Sequence, residues 1–214
     1  MSAASPSSVL VPDPKYQHLA TESQIETAKA NLESHGIEVV VVENAEEARR
    51  EVLARIPPGS EVFDSSSRTL EETGIVKALE GAEVVLLRPR LHAMDRATQA
   101  KEIRQLSQAP DVIVGSVHAV TEDGQVLVGS GSGSQLGPYA HGAGRVIWVV
   151  GTQKIVPDLE EGLARLERYS LPKEDARALK VYGVHSSLSK VLIVRREGQP
   201  GRTTLVLVKQ ELGF

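Results

Sequence analysis

From Thr21 onward the chain alternates between two kinds of apolar pattern. Ile25, Ala28 and Leu32 recur at helical spacing. Thr21 stands before them as a cap, Gln24 three residues on completes a capping box, and Gly36 stops the helix. Residues 37–42 are a β-branched run and predict a strand. Asn44 then opens a second helix to about Arg55, and Pro57-Pro58-Gly59 ends that unit. Glu61–Asp64 reads as a short strand, Ser65-Ser66-Ser67 as a polar turn, and residues 69–73 as a short helix. Gly81-Ala82 precedes an apolar strand over 84–87. Asp95 caps a helix to about Gln108, and Pro110-Asp111 introduces the strand Val112–Gly115. Short aliphatic strands alternating with helices predict an α/β fold with a mixed, mainly parallel sheet and helices on both faces.

Near residue 117 the rhythm changes. Apolar runs over 117–121 and 126–128 flank Glu122-Asp123-Gly124-Gln125, and Asp-Gly between such runs predicts a hairpin. A Gly/Ser loop over 129–134 follows, then a buried strand over 146–150. Pro157 suits the first turn of a helix to about Tyr169, with Asp158, Glu160 and Glu161 complementing its dipole. A second acid-rich helix starts near Pro172. Residues 190–195, a turn around 198–201, and residues 203–208 predict a terminal hairpin. Residues 1–20 contain three prolines and little periodicity, so they predict a tail that is partly disordered or drapes over the domain. No repeat or linker divides the rest, and residues 21–214 read as one domain.

Composition narrows the chemistry. Hydrophobic residues make up 41% of the chain but only four Tyr, two Phe and one Trp are aromatic, so the core must be aliphatic. There is no cysteine, which excludes disulfides, thiolate nucleophiles, cysteine-ligated zinc and any iron–sulfur cluster held by these residues alone. A net charge of −4 lacks the basic footprint of generic nucleic-acid binding. No apolar run approaches the roughly 18 residues of a membrane span. The N-terminus lacks the basic flank and apolar stretch of a secretory signal. The expectation is a soluble, cytoplasmic protein.

In open α/β sheets, ligands gather where strands deliver their ends to loops. Three such places stand out. Ser65, Ser66, Ser67 and Thr69 lie between a strand and a helix, where hydroxyls and unpaired N–H groups suit an anion and equally serve as ordinary caps. Gly131, Ser132, Gly133, Ser134 and Gln135 belong to the Gly/Ser loop, whose backbone can cradle a phosphate or carboxylate or simply connect two strands. That loop fits neither the Walker pattern nor the dinucleotide fingerprint, and no cofactor is expected. Lys154 follows the strand 146–150, where an ammonium can neutralise an anion or polarise a carbonyl. Glu122 and Asp123 are turn residues that could also serve as a base. His141 sits just beyond the Gly/Ser loop. His118, His141 and His185 form no metal-ligand spacing, so no metal site is expected. Arg88-Pro89-Arg90 reads as solvated surface, and Ser186-Ser187 with Lys190 as structural.

Several separated stretches resemble the LUD-domain family, typified by the lactate utilisation protein C. They are residues 66–74, Ala119-Val120-Thr121-Glu122-Asp123-Gly124, residues 149–159, residues 183–190 and the ending Glu211-Leu212-Gly213-Phe214. The resemblance covers about residues 20–214 and implies a fold similar to the sugar-phosphate isomerase and CoA-transferase class. It implies a small anionic metabolite as ligand, and assistance to L-lactate oxidation beside iron–sulfur oxidoreductase subunits. The chain departs from the isomerases, having Ser116-Val117-His118-Ala119 in place of their acid-rich turn and no lysine leading the glycine loop. No counterpart to the transferases' nucleophilic glutamate is evident. Two other readings stay open: a stand-alone enzyme with Glu122 or Asp123 as base and Lys154 as electrophile, and a scaffold that has lost its site.

Overall fold

In the computed structural model, which describes residues 10–214, the helix starts follow the local signals. Helix α1 (Glu22–Ser34) opens on a capping box: the Gln24 amide donates to Thr21 Oγ1 at 3.4 Å and the Thr21 amide to Gln24 Oε1 at 3.0 Å. It leads into β1 (Glu38–Val42). Asn44 caps α2 (Ala45–Ala54), its Oδ1 accepting from the Glu47 amide at 3.0 Å. Then come β2 (Glu61–Asp64), the short helices α3 (Arg68–Glu72) and α4 (Ile75–Glu80), β3 (Val85–Leu86), α5 (Leu87–Ala93), α6 (Ala100–Gln108) and β4 (Val112–Gly115). A hairpin of β5 (Ala119–Thr121) and β6 (Val126–Ser130) follows. A π-helical turn, Pro138–Gly142, precedes β7 (Arg145–Gly151), a 3₁₀ turn at Thr152–Lys154, and β8 (Ile155–Val156). Helix α7 (Leu159–Arg165) passes through a π-helical turn, Leu166–Ser170, into α8 (Leu171–Tyr182), and the chain ends with β9 (Lys190–Val194) and β10 (Thr203–Val208).

Six strands form the central sheet in the order β1-β10-β7-β4-β2-β3, all parallel. Alternate residues of β7 face opposite sides, as strand geometry requires. Val146, Trp148 and Val150 pack in one core with Ile25 and Leu32 of α1, Leu87 and Leu91 of α5, and Val120 and Val126 of the hairpin. Ile147 and Val149 pack in another with Ala48, Val52, Leu70, Ile75 and Leu79. The sheet is therefore covered by helices on both faces, with a second, four-stranded sheet, β8-β5-β6-β9, on the first.

Several expectations change. The terminal hairpin does not form: β9 pairs antiparallel with β6, from Val126↔Val194 to Ser130↔Lys190, whereas β10 lies between β1 and β7. Every residue of β10 is buried, as a central parallel strand demands, while β9 is a half-exposed edge. The strand expected over 84–87 stops at Leu86, and Leu87 begins α5 instead. Asp95 closes only a local turn, accepting from Ala97 N at 2.9 Å and Thr98 Oγ1 at 2.7 Å, and α6 starts at Ala100. Pro157 stands just outside α7 rather than in its first turn, because Asp158 is the cap, its Oδ1 accepting from Glu161 N at 2.9 Å. Of the expected tail, residues 1–9 lie outside the described residues. Farther on, Pro14–Gln17 form a 3₁₀ turn whose Tyr16 is buried and donates from its hydroxyl to Glu161 at 3.0 Å. Among the described residues no helix is long and apolar enough to cross a membrane.

Candidate functional site

Strands β2, β4 and β7 run parallel; Asp64 pairs with Val114 and Gly115 with Trp148, so β2 and β4 end together and β7 runs on beyond them to Gly151. Beyond each end the chain turns across the sheet edge, presenting Ser65-Ser66-Ser67, Ser116-Val117-His118 and Thr152–Lys154. Strand β6 ends at Ser130 and hands over to the Gly/Ser loop. The C-terminal half of α8, with Arg177 and Tyr182, and the following His185 face these loops. Together they line a cleft of about 450 Å³. Its position follows the rule for parallel sheets.

Lys154 is the centre of the site. The residue is 1% exposed, and Nζ donates to Thr69 Oγ1, Ser116 Oγ and the Val117 carbonyl, each at 3.1 Å. None of these partners carries a charge. Burial, reinforced by the nearby Arg165 guanidinium, holds its pKa well below the ordinary 10.5; Glu72 opposes weakly. Arg165 is also fully buried. It donates to the His118 carbonyl and to Ser170 Oγ at 3.2 Å, while its Nε and one Nη have no partner. Burial lowers its pKa to about 10. Two buried basic side chains thus stand near each other, and neither forms an ion pair with a carboxylate among the described residues.

His118 completes this donor-rich region. Burial first, then Lys154 and Arg165, push its pKa down to about 3, so the ring is neutral. Its Nδ1 faces the Gly129 amide at 3.1 Å and must accept, which leaves the hydrogen on Nε2. Ser65 Oγ and the Tyr139 hydroxyl are 3.0 Å apart, and burial raises the Tyr139 pKa to about 12, so that the phenol stays protonated. A Cβ at Gly115 would collide with both hydroxyls, so only glycine lets them approach there. Arg88 donates to Asp64 Oδ2 at 2.7 Å and Ser66 Oγ at 3.1 Å, and fixes the first serine turn. Ser67 Oγ caps α3 from Leu70 N at 3.4 Å. In the Gly/Ser loop, Ser130 Oγ accepts from Gly133 N at 2.8 Å and donates to Gln135 Oε1 at 3.1 Å. The loop is therefore braced by its own hydroxyls rather than slack.

Of the residues singled out in the sequence, Ser65, Ser66, Ser67, Thr69, Gly131, Ser132, Ser134, Gln135 and Lys154 line the cleft, although they come from three distant segments. Gly133, Glu122, Asp123 and His141 do not. The acidic turn and the Gly/Ser loop sit at opposite ends of β6. Glu122 accepts from Gln24 Nε2 of α1 at 2.9 Å, and Asp123 is held by Thr121 and by Gln125 Nε2 at 2.9 Å. Gly124 takes a left-handed φ of +84°, the turn chemistry that Asp-Gly foretells. His141 is exposed on the π-helical turn. Arg88, which reads as solvated surface in the sequence, and His118 and His185, weighed there only as metal ligands, also line the cleft, as do Ser116, Tyr139 and Arg177. For Ser116 and His118 a signal existed: they follow a buried strand just as Ser65 and Lys154 do.

The family model described as LUD domain matches residues 25–208. The crystal structure of a DUF162 family protein from Deinococcus radiodurans is similar to this chain. It has 13% identity and a TM-score of 0.51, over 89% of this chain and 99% of that one, which shows a common fold. Two subunits from Chaetomium thermophilum are more remote. eIF2B beta has 15% identity over 55% of this chain and 44% of its own, with a TM-score of 0.38. eIF2B delta has 16% identity over 68% and 55%, with a TM-score of 0.33. No curated protein matches the chain in sequence.

Proposed function

We propose, since the chain belongs to the LUD domain family, that it is a lactate-utilisation-type protein whose cleft binds a small anionic metabolite through a carboxylate or phosphate. The observation that carries this reading is Lys154, a buried ammonium on the cleft wall with three neutral partners. An unpaired buried charge is costly, and an anion at Nζ would offset that cost. The hydroxyls of Ser65, Ser66 and Ser132 and the amides of the Gly/Ser loop supply further donors around the same space. Glu122 and Asp123 take no part, because a base must reach its proton directly or through one water.

In this reading the chain binds and orients L-lactate for oxidation to pyruvate. Oxidation releases two electrons, and the chain has no cysteine with which to hold an iron–sulfur cluster. Iron–sulfur oxidoreductase subunits would take those electrons. The direct test is titration calorimetry with L-lactate, pyruvate and inorganic phosphate on the wild type and on Ser66→Ala, Ser132→Ala and Lys154→Met. The reading expects binding that weakens in these variants. Silence toward all three ligands, or unchanged affinity in all three variants, would sink it.

A proton balance gives a second test. The free protein holds the Lys154 pKa well below 10.5. An anion at Nζ favours the charged form and raises that pKa. At any pH between the two values, binding therefore takes up protons, and affinity falls as pH rises. Titrating L-lactate in two buffers of different ionisation enthalpy measures the uptake. Zero uptake across alkaline pH would contradict it.

A further inference from the structure

The four-stranded sheet ends on β9, and that edge is open. In β6 the Leu127 carbonyl and the Gly129 amide point toward β5, where they meet the His118 amide at 2.9 Å and His118 Nδ1 at 3.1 Å. Val126, Val128 and Ser130 therefore bond to β9, through their register partners Val194, Leu192 and Lys190. The amides and carbonyls of Val191, Ile193 and the following Arg195 are left facing outward, and no strand lies beyond them among the described residues. Val191 and Ile193 are 39% and 37% exposed. The other sheet edges are blunted. Strands β3 and β8 have two residues each, and Lys29 Nζ donates to the Val39 carbonyl of β1 at 3.2 Å. Between Lys190 and Arg195, β9 has only Val191, Leu192, Ile193 and Val194, with no charge, proline or glycine to interrupt it.

Charge marks both ends of this edge. Lys190, Arg195 and Arg196 are exposed, in a chain whose net charge is −4. Lys190 Nζ reaches only the Gly131 carbonyl at 3.5 Å, and Arg195 Nε only Gln125 Oε1 at 3.3 Å. Glu197, the nearest acid along the chain, is turned inward onto Arg202 at 2.8 Å. We propose that β9 docks an extended segment of a partner protein with acidic residues at its ends, which joins the sheet as a fifth strand. Main-chain bonds to Val191, Ile193 and Arg195 supply the affinity, and the flanking cations select the partner. A second copy of β9 is a poor occupant. Outward residues must face outward residues, and the antiparallel pairing that uses the whole strand, centred on Ile193, sets Lys190 opposite Arg196. Because Lys190 is the register partner of Ser130, the docked segment runs beside the Gly/Ser loop of the cleft. Docking here is independent of what the cleft binds.

The probe is a synthetic peptide of alternating valine and threonine with two glutamates at each end, and its counterpart has lysines in place of the glutamates. Amide hydrogen exchange of the full chain is followed by NMR at millimolar peptide. The glutamate peptide should slow exchange at Val191, Ile193 and Arg195, while Leu192 and Val194, already bonded to β6, change little. At low salt it should bind about tenfold tighter than the lysine peptide, the scale of several exposed ion pairs set against as many repulsions. High salt should close that gap. Ile193→Pro removes an outward N–H that β6 does not use, so the strand survives and docking is lost. Should that variant fail to fold, Lys190→Glu with Arg196→Glu leaves the main chain intact and should turn the preference toward the lysine peptide. Unchanged exchange at the three outward amides, equal binding of the two peptides, undiminished docking in a folded Ile193→Pro, or a double variant that still prefers the glutamate peptide would overturn the proposal. So would outward amides already protected in a dimer of the free protein, because a second copy would then occupy the edge.

Discussion

Lys154→Met will lower the affinity for L-lactate by on the order of 100-fold, the scale for losing the charged partner of a desolvated anion. It will not unfold the protein. Methionine nearly matches the volume of the lysine stem and removes an amine on a residue that is 1% exposed, whose hydrogen-bond partners Thr69, Ser116 and Val117 are uncharged. The groups left behind keep other bonds: Thr69 Oγ1 donates to the Leu212 carbonyl at 3.2 Å, and Ser116 Oγ to the Val117 carbonyl at 3.4 Å. Replacing a buried charge with a well-packed apolar group is commonly neutral or stabilising. The linkage has the same sign. A lysine whose folded pKa lies below its unfolded value penalises folding at neutral pH, and the penalty fades as pH rises toward 10.5. Thermal melts at neutral pH should show the variant as stable as the wild type or more so, while calorimetry shows binding lost. A variant that melts early and a variant that binds normally would each be evidence against this placement of the charge.

Arg202→Met will do the reverse, costing about 3–5 kcal/mol of stability, as for a buried ion pair broken on one side. Arg202 and Glu197 are 6% and 10% exposed at the side chain and meet at 2.8 Å. The same guanidinium donates to the carbonyls of Pro138 at 2.9 Å, Tyr139 at 3.1 Å and Ala143 at 3.0 Å. The Pro138 carbonyl also accepts from the Ala143 amide at 3.1 Å, so the guanidinium ties down the end of the π-helical turn, and Tyr139 of that turn forms part of the cleft wall. Methionine would leave them and the Glu197 carboxylate without the cation. Burial pushes the Glu197 pKa up, but bonds from Gln199, Thr203 and Arg202 outweigh it, and the net shift is down. Its contribution is therefore present at neutral pH and is lost as pH falls through the folded pKa. Urea melts at neutral and acidic pH measure both effects: the gap between wild type and variant should narrow in acid.

What could be read from the sequence was local. Thr21 with Gln24, Asn44 with Glu47, and Asp123-Gly124 each satisfy neighbouring backbone groups, so their geometry is present within a few residues. The strand-end loops at Ser65 and Lys154 were legible for a related reason: a polar run after a buried aliphatic one has to lie at a sheet edge. Pairings between distant segments were not legible. Residues 190–195 and 203–208 look like a hairpin, yet β10 satisfies its hydrogen bonds with β1 and β7 instead. Helix α5 stands where the sequence reads as the end of a strand and a solvated Arg88-Pro89-Arg90; Pro89 is its third residue, which needs no N–H partner, and Leu87 and Leu91 carry the buried face. Arg88 read as surface for the same reason, since its partner Asp64 belongs to another strand. Glu122 and Asp123 were drawn toward the Gly/Ser loop by proximity along the chain. A strand between them carries the two to opposite ends of β6.

The most direct test of the account is a crystal structure of the protein grown with L-lactate. It should show the carboxylate within hydrogen-bonding distance of Lys154 Nζ, between the Ser65 turn and the Gly/Ser loop. Lactate bound elsewhere on the molecule, with Lys154 still holding only Thr69, Ser116 and Val117, would contradict it.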